Sequence, residues 1–412
     1  MTKSVNPYFP VVIVGAGPAG SAAAIYFQRE GFAALLVDRA RFPRDKVCGD
    51  GIPLKTFHLL TDLGFDEQQL FQHGYRIRQL NLYSPDHRVT RFGNLKPDAS
   101  TKSGCIPRYQ FDHLLFQKAQ EAAAAVWEQH RFIGYEQQTN GELQVSFQSL
   151  SSGKLLQVRT HLLIGADGGK SRVAQAARLL TQNREFRFDG LRRYYQGKAF
   201  EPTVHLIYDE RTLPGYVWIF PVAKDRANVG IMTDRSVRQR YGKTIREIFE
   251  EVLATNPVVQ KVLEGAQPEG EVRGAPLPLG SLPGPRSTDG VMLIGDAAAF
   301  INPITGGGIY FAILSAKHAA RIGAAALRKQ DTSRNALKAY EQWWRKTILP
   351  GFEYAEWMRR SFRYPRFVRW FLNQSSRFRV VANFFFAVYG RPLPRHVFWN
   401  PLFWLKILLH RG

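Results

Sequence analysis

Four short runs of uninterrupted apolar residues punctuate the chain: Val11-Val12-Ile13-Val14, Ala34-Leu35-Leu36-Val37, Leu162-Leu163-Ile164 and Val291-Met292-Leu293-Ile294. A strand that is apolar on both sides has no solvent face. Each run therefore predicts a buried strand of a parallel sheet covered on both faces. Between the first two, Ser21 to Glu30 shows helical spacing, so residues 11–38 predict one βαβ unit. Helical spacing also predicts a helix over 109–125 and a long one over roughly 308–328. Over 191–233 the pattern changes to alternation, the mark of antiparallel strands with unlike faces, and Asn140-Gly141 predicts a tight hairpin turn. The stretch 268–290 is rich in Pro and Gly and predicts a crossover. The parallel pieces are thus separated by antiparallel material, which predicts a nucleotide-type domain interrupted by an inserted one.

Composition narrows the class. A chain of 412 residues suits two packed domains, and 45% hydrophobic residues suffice for a sizeable core. No run of 18 apolar residues occurs, so no transmembrane helix is expected, and the opening MTKSVNPYFP predicts no signal peptide. Cys48 and Cys105 are the two cysteines, too few for a disulfide framework or a multi-Cys zinc site, and they fit a reducing cytoplasm. The ten histidines show no metal-ligand spacing, so no metal is expected. No G-x-S-x-G elbow is present, which leaves hydrolase chemistry without its nucleophile. The net charge of +22 asks for an anionic partner such as nucleic acid, phosphate or lipid headgroups. Half of that charge lies in residues 357–412, with 11 Lys/Arg and no Asp or Glu.

The candidate chemistry sits where the apolar runs end. Gly15-Ala16-Gly17-Pro18-Ala19-Gly20 is a G-x-G-x-x-G between a strand and a helix. Gly15 permits the tight turn, Gly17 admits a pyrophosphate and Gly20 lets helix and strand pack. The helix start adds amide donors and a positive dipole end. Asp38 closes the second strand, where a carboxylate accepts ribose hydroxyls; Arg39 follows it. Gly165-Ala166-Asp167-Gly168 and Gly295-Asp296-Ala297-Ala298 each follow another apolar run, and Pro303-Ile304-Thr305-Gly306-Gly307-Gly308 opens the long helix. A helix N-terminus steadies negative charge, and three glycines allow close approach to a flat ring.

The G-x-G-x-x-G, the mid-chain Asp167-Gly168 and the late Gly295-Asp296 together resemble the flavoprotein hydroxylase superfamily, typified by p-hydroxybenzoate hydroxylase. The resemblance implies FAD, with Asp296 on its ribityl or ribose hydroxyls and Asp167 near the pyrophosphate. Two further segments resemble the geranylgeranyl reductase group: Lys46-Val47-Cys48-Gly49-Asp50-Gly51, and Pro214-Gly215-Tyr216-Val217-Trp218-Ile219-Phe220-Pro221 followed by Asn228-Val229-Gly230. Met232 departs from that pattern, standing where a second glycine is expected. Arg108-Tyr109-Gln110-Phe111-Asp112 resembles a helix start whose arginine reaches the FAD phosphates. The resemblance implies an α/β fold: a Rossmann-type FAD-binding domain (1–75, 105–180, 285–330), an inserted antiparallel-sheet substrate domain (76–104, 181–284) and a C-terminal helical region (331–412). The implied cofactor set is Gly15, Gly17, Pro18, Ala19, Gly20, Asp38, Arg39, Lys46, Cys48, Gly49, Arg108, Asp167, Gly168, Gly295, Asp296, Pro303, Gly306, Gly307 and Gly308. Tyr216, Trp218 and Phe220 alternate along one strand, so they share a face and predict an aromatic substrate wall or a plain buried sheet face. Cys48, Tyr216 and Trp218 are the catalytic candidates.

The expected activity is FAD-dependent reduction of C=C bonds in an isoprenoid or other lipid-like substrate. NAD(P)H or a ferredoxin-type donor would be the reductant; no second G-x-G-x-x-G offers NAD(P)H a fold of its own. A flavin monooxygenase acting on an aromatic or polyketide-like substrate shares the same motifs. A membrane-recruited, non-enzymatic FAD-binding protein is a third reading. Flavin halogenation lacks its W-x-W-x-I-P. In residues 357–412 arginines interleave with aromatics, and Arg363, Arg366 and Arg369 share a helical face. That segment predicts peripheral contact with a membrane surface, and so a cytoplasmic protein at the membrane, or else a helical cap on the fold. No nucleic-acid motif accompanies it.

Overall fold

The computed structural model describes residues 6–93, 103–181 and 183–377. A six-stranded sheet runs in the order Ser287–Thr288, Val291–Leu293, Leu162–Gly165, Val11–Val14, Leu35–Val37, Ala125–Trp127. Every pairing is parallel except the first, and Val11 to Val14 stand opposite Leu162 to Gly165. All four residues of Val11–Val14 and of Leu162–Gly165 are buried, as double-sided covering requires. The Ala-rich helix Pro18–Arg29 packs on Ile309–Arg328, and small side chains let the two approach closely. Phe132, Leu143, Val145, Phe147 and Val158 join the same core from an antiparallel sheet of His130–Gln137, Leu143–Ser149 and Leu155–Thr160. Asn140-Gly141 makes its first turn, with Gly141 at φ +82°.

A seven-stranded sheet stands beside this core, in the order Gln267–Pro278, Arg187–Gln196, Arg226–Thr233, Tyr216–Ala223, Thr203–Ile207, Gln79–Tyr83, Val89–Gly93. Alternation assigns its faces. Val217, Ile219, Val229 and Ile231 point to the helices Ile245–Thr255 and Pro257–Leu263. Tyr216, Trp218, Met232 and Leu206 point the other way, toward Ile301, Ile304 and the C-terminal helices Leu349–Ser361 and Pro365–Arg377.

Two expectations change. The supposed crossover at 268–290 begins as a 12-residue strand, Gln267–Pro278, on the sheet edge. An edge strand needs ladder bonds on one side alone, so it tolerates Pro268, Pro276 and Pro278. The helix expected over 109–125 is Arg108–Ala122; Ala125 to Trp127 instead form the outermost parallel strand.

The described part of the basic C-terminal segment is a cap. Phe362, Val368, Phe371 and Leu372 are buried in the core shared with the large sheet. Arg359 is fully buried and holds Asp234 Oδ2 at 2.6 Å and Glu356 Oε1 at 2.7 Å. Arg363 also pairs with Asp234 at 2.8 Å, and Arg369 pairs with Glu210. Two of the three arginines expected on one face therefore bind the sheet domain, while Arg366 stays exposed. Residues 378–412, the remainder of the predicted membrane segment, lie outside the described residues. Among the described residues no helix is long and apolar enough to cross a membrane.

Candidate active site

The glycine turn, the mid-chain Asp-Gly and the late Gly-Asp meet at the carboxyl ends of the parallel strands, where open α/β sheets place their ligands. Gly15 has φ +101°, and a Cβ there would stand 2.3 Å from the carbonyl oxygen of Ala166. A Cβ on Gly20 would stand 1.7 Å from the Gly15 oxygen, and one on Gly295 would stand 2.8 Å from Ala19 Cβ. Three segments far apart in the chain thus pack against one another with no room for side chains.

Asp38 ties this turn down. Its carboxylate accepts from the amides of Ala16 at 2.7 Å and Ala40 at 2.8 Å. A carboxylate has about four acceptor positions, which leaves capacity for hydroxyl donors. Arg39 beside it is exposed. Asp167 is occupied locally: it accepts from Ser171 Oγ at 2.5 Å and the Arg172 amide at 2.6 Å, capping the short helix Arg172–Ala176. Burial raises its pKa despite those bonds. Gly168 follows at φ +82°.

Asp296 faces the start of the long helix. A Cβ on Gly308 would stand 3.1 Å from Asp296 Oδ1, and Lys46 Nζ lies 2.7 Å from Oδ2. Burial would raise this carboxyl, but Lys46 and then Arg108 outweigh it and hold it below the ordinary carboxylate range. Pro303 is buried, and Asn302 Oδ1 accepts the amides of Ile304 and Thr305, both at 3.0 Å, shaping the loop that leads through Gly306, Gly307 and Gly308 into the helix.

Arg108 is turned inward. It is 3% exposed and grips Asp112 through Nε at 2.5 Å and Nη2 at 2.7 Å. Arg44 shares Asp112 at 2.8 Å, keeps 20% of its side chain open, and places Nη2 3.3 Å from where a Cβ on Gly17 would stand. Arg44 is therefore the guanidinium beside the glycine turn. The sequence offers no signal for it, because Arg44 belongs to no motif; the fold brings it to Gly17 through Asp112.

The aromatic strand lies against the Cys48 loop. Cβ atoms on Gly49 and Gly51 would each stand 3.1 Å from Phe220, and the Gly49 position is 3.3 Å from Trp218 Nε1. Tyr216 and Trp218 are 5% and 7% exposed, so most of this face is packed. Trp218 has its room because Gly230 stands opposite, where a Cβ would come within 2.1 Å of Cζ2. Tyr216 donates its hydroxyl to the Thr305 carbonyl at 2.6 Å. Trp218 Nε1 donates to Asn228 Oδ1 at 2.9 Å, and Asn228 Nδ2 donates to the Cys48 carbonyl at 2.8 Å. Cys48 is half-buried, and Cys105 is buried with its thiol pKa raised by that burial. Asn228 follows the aromatic segment in the sequence pattern, but its bonds to two catalytic candidates come to light in the fold alone.

The donor set suits an adenine dinucleotide: an open glycine turn beside a guanidinium, acceptor capacity at Asp38, and a carboxylate at a helix start. Among the described residues no cluster of His, Cys, Asp or Glu could hold a metal ion.

The FAD binding domain family matches residues 8–196. A digeranylgeranylglycerophospholipid reductase of Methanopyrus kandleri is 30% identical over 366 residues, covering 84% of this chain and 88% of the relative. A menaquinone reductase of Mycolicibacterium smegmatis is 29% identical over 335 residues, covering 77% of each. The crystal structure of a geranylgeranyl bacteriochlorophyll reductase-like protein from Thermoplasma acidophilum superposes with a TM-score of 0.81 at 22% identity, over 90% of this chain and 92% of that one. With its motifs converging on one site and such relatives along most of its length, the chain is an FAD-dependent oxidoreductase and belongs to the geranylgeranyl reductase family.

Proposed function

We propose that this oxidoreductase saturates C=C bonds in an isoprenoid chain of a lipid or lipid-like molecule. The observation that carries this reading is the seating of the Tyr216–Phe220 aromatic strand directly on the Cys48–Gly51 loop, beside the glycine loop 305–308. Flat, apolar walls suit an alkene chain that offers no polar handle. The names of the relatives, a digeranylgeranylglycerophospholipid reductase and a menaquinone reductase, support the same substrate class.

The residues have separable roles. Gly17, the start of the helix Pro18–Arg29 and Arg44 would hold the pyrophosphate, and Asp38 and Asp296 would take hydroxyls of FAD. Bound and reduced FAD supplies the hydride for one alkene carbon, and a proton must reach the other. Thr305 to Gly308 lead into the N-terminus of a 20-residue helix, an end that favours negative charge. Tyr216 and Trp218 exclude water and orient the chain; Cys48 and Tyr216 are the proton-donor candidates.

The test is anaerobic incubation of the FAD-loaded protein with dithionite and a geranylgeranyl lipid, followed by mass spectrometry. A gain of hydrogen pairs supports the proposal. Unchanged lipid there, together with substrate-dependent oxygen consumption in a separate aerobic incubation with NAD(P)H, would replace it with the monooxygenase reading. NADPH and reduced ferredoxin, offered in turn instead of dithionite, identify the donor. Membrane contact is proposed for residues 378–412 alone, whose sequence carries five Lys/Arg, no acid and repeated Phe and Trp.

A further inference from the structure

Asp50 is a fully buried carboxyl with φ +65°, in the left-handed region. Oδ2 accepts from Tyr194 Oη at 2.6 Å and from Asn228 Nδ2 at 2.7 Å, and Oδ1 accepts from the Arg108 backbone amide at 3.2 Å. All three donors are neutral. The guanidiniums that face it, Arg108 and Arg192, are engaged by Asp112 and Asp45. The thiol of Cys105, whose pKa the Asp50 charge helps to raise, is its other titratable neighbour. Burial outweighs the hydrogen bonds and the nearby cations and pushes the carboxyl up to about 6. For holding a loop at this φ, Asn serves as well as Asp and carries no charge to desolvate. A titrating group at this position therefore calls for a use.

Its neighbours supply one. The amide of Asn228 spends one N–H on Asp50 and gives another to the Cys48 carbonyl, while its oxygen receives the Trp218 indole. An ionised carboxyl only accepts hydrogen bonds, whereas a protonated one must donate one. Protonation at Oδ2 cannot keep both the Tyr194 and the Asn228 bond unchanged. Tyr194 also lines a cavity of about 610 Å³ with Asp45, Arg192 and Arg226, so this residue stands between the buried acid and that cavity. Guanidiniums of Arg192 and Arg226 hold its ring from 4.5 and 4.1 Å.

We infer that Tyr194, Asp50 and Asn228 form a proton-sensitive positioning relay, exchanging a proton with the cavity and passing the ionisation of Asp50 on to the Cys48 loop and the Trp218 ring. The inference rests on the proposed function in one respect, that Cys48 and Trp218 belong to the working site.

The test uses full-length, FAD-loaded protein and needs no turnover. Carboxyl infrared difference spectra and tryptophan fluorescence are recorded from about pH 4.5 to about pH 8. The wild type is expected to show a one-proton transition in both signals with a midpoint of about 6. Asp50→Asn should abolish it. Tyr194→Phe removes a bond that favours the ionised form and should raise the midpoint by about one to two pH units. A transition that survives in Asp50→Asn, or a midpoint unmoved in Tyr194→Phe, overturns the relay; the second variant decides if the first does not fold. Alkene reduction with a pH-blind Trp218 would sink the relay and leave the reductase reading standing, whereas a clean transition in a protein that reduces no alkene would do the reverse.

Discussion

Met232 and Gly306 meet where the large sheet touches the glycine loop: the Met232 sulfur lies 2.7 Å from the point a Cβ on Gly306 would occupy. Gly306 has φ +65°, so alanine there meets both a backbone penalty and a collision. Gly306→Ala is predicted to weaken FAD binding by roughly 10-fold or more. Met232→Ala in the same chain should restore part of the loss by removing the collision. Fluorescence titration of apoprotein with FAD measures both, and strict additivity of the two changes would refute the contact.

Lys46 and Asp296 form an ion pair at the start of the long helix. Asp296→Asn keeps the shape and removes the charge, and is expected to lower FAD affinity by about 10- to 100-fold, the range for a hydrogen bond to a charged group. Lys46→Met should act in the same direction. Equilibrium dialysis of the flavin checks both, and wild-type retention in Asp296→Asn would remove that carboxylate from the cofactor set.

Gly230→Ala should displace Trp218, since the new methyl would stand 2.1 Å from Cζ2 and 2.4 Å from the Leu191 carbonyl. Overpacking of this kind costs about 1–3 kcal/mol. Thermal melting should show it, together with a changed near-UV tryptophan band. A normal band with a lowered Tm would place the strain elsewhere.

Stability should depend on pH through Asp50. Its folded pKa is raised to about 6 from 3.8, so the folded state is penalised when the group ionises. The penalty is absent below about 3.8 and complete above about 6, on the order of 3 kcal/mol. Wild type should therefore lose stability relative to Asp50→Asn as the pH rises through that window. Parallel denaturation curves across it would contradict the shift.

Arg359→Met leaves Asp234 and Glu356 buried with less cationic compensation, and a loss of about 3–5 kcal/mol is expected. Arg369→Met breaks an exposed pair and should cost less than about 1 kcal/mol. Urea denaturation compares them. The same packing decides how membrane contact should be tested: a truncation after Glu356 would strip Phe362 and Phe371 from the core, so liposome flotation should compare the full chain with one ending at Arg377.

Much of the fold was legible because burial on both faces leaves an unmistakable trace. Val11–Val14 and Leu162–Gly165 are apolar throughout and became the sheet centre. Ala125–Trp127 escaped notice because three residues beside a helix carry no period of their own. Gln267–Pro278 escaped because half of an edge strand's hydrogen bonds are dispensable, so its prolines read as a loop. The glycine motifs announced themselves through residues that only close backbone approach explains. Arg44, Asn228 and Asp50 did not, since what matters in them is a partner far along the chain or across the sheet: Asp112, Trp218 and Tyr194.

The meeting of Ala166 with Gly15 and of Gly295 with Ala19 also bears on how the protein is made. A nascent chain can shape its first βαβ unit early, but the wall that closes the site arrives only with residues 295–308, 280 positions after Gly15. Fragments ending sooner lack Asp296 and the glycine loop altogether. Yellow colour in a cell extract would then count the chains that extend through Gly308, because no shorter stretch brings the separated parts of the binding site together.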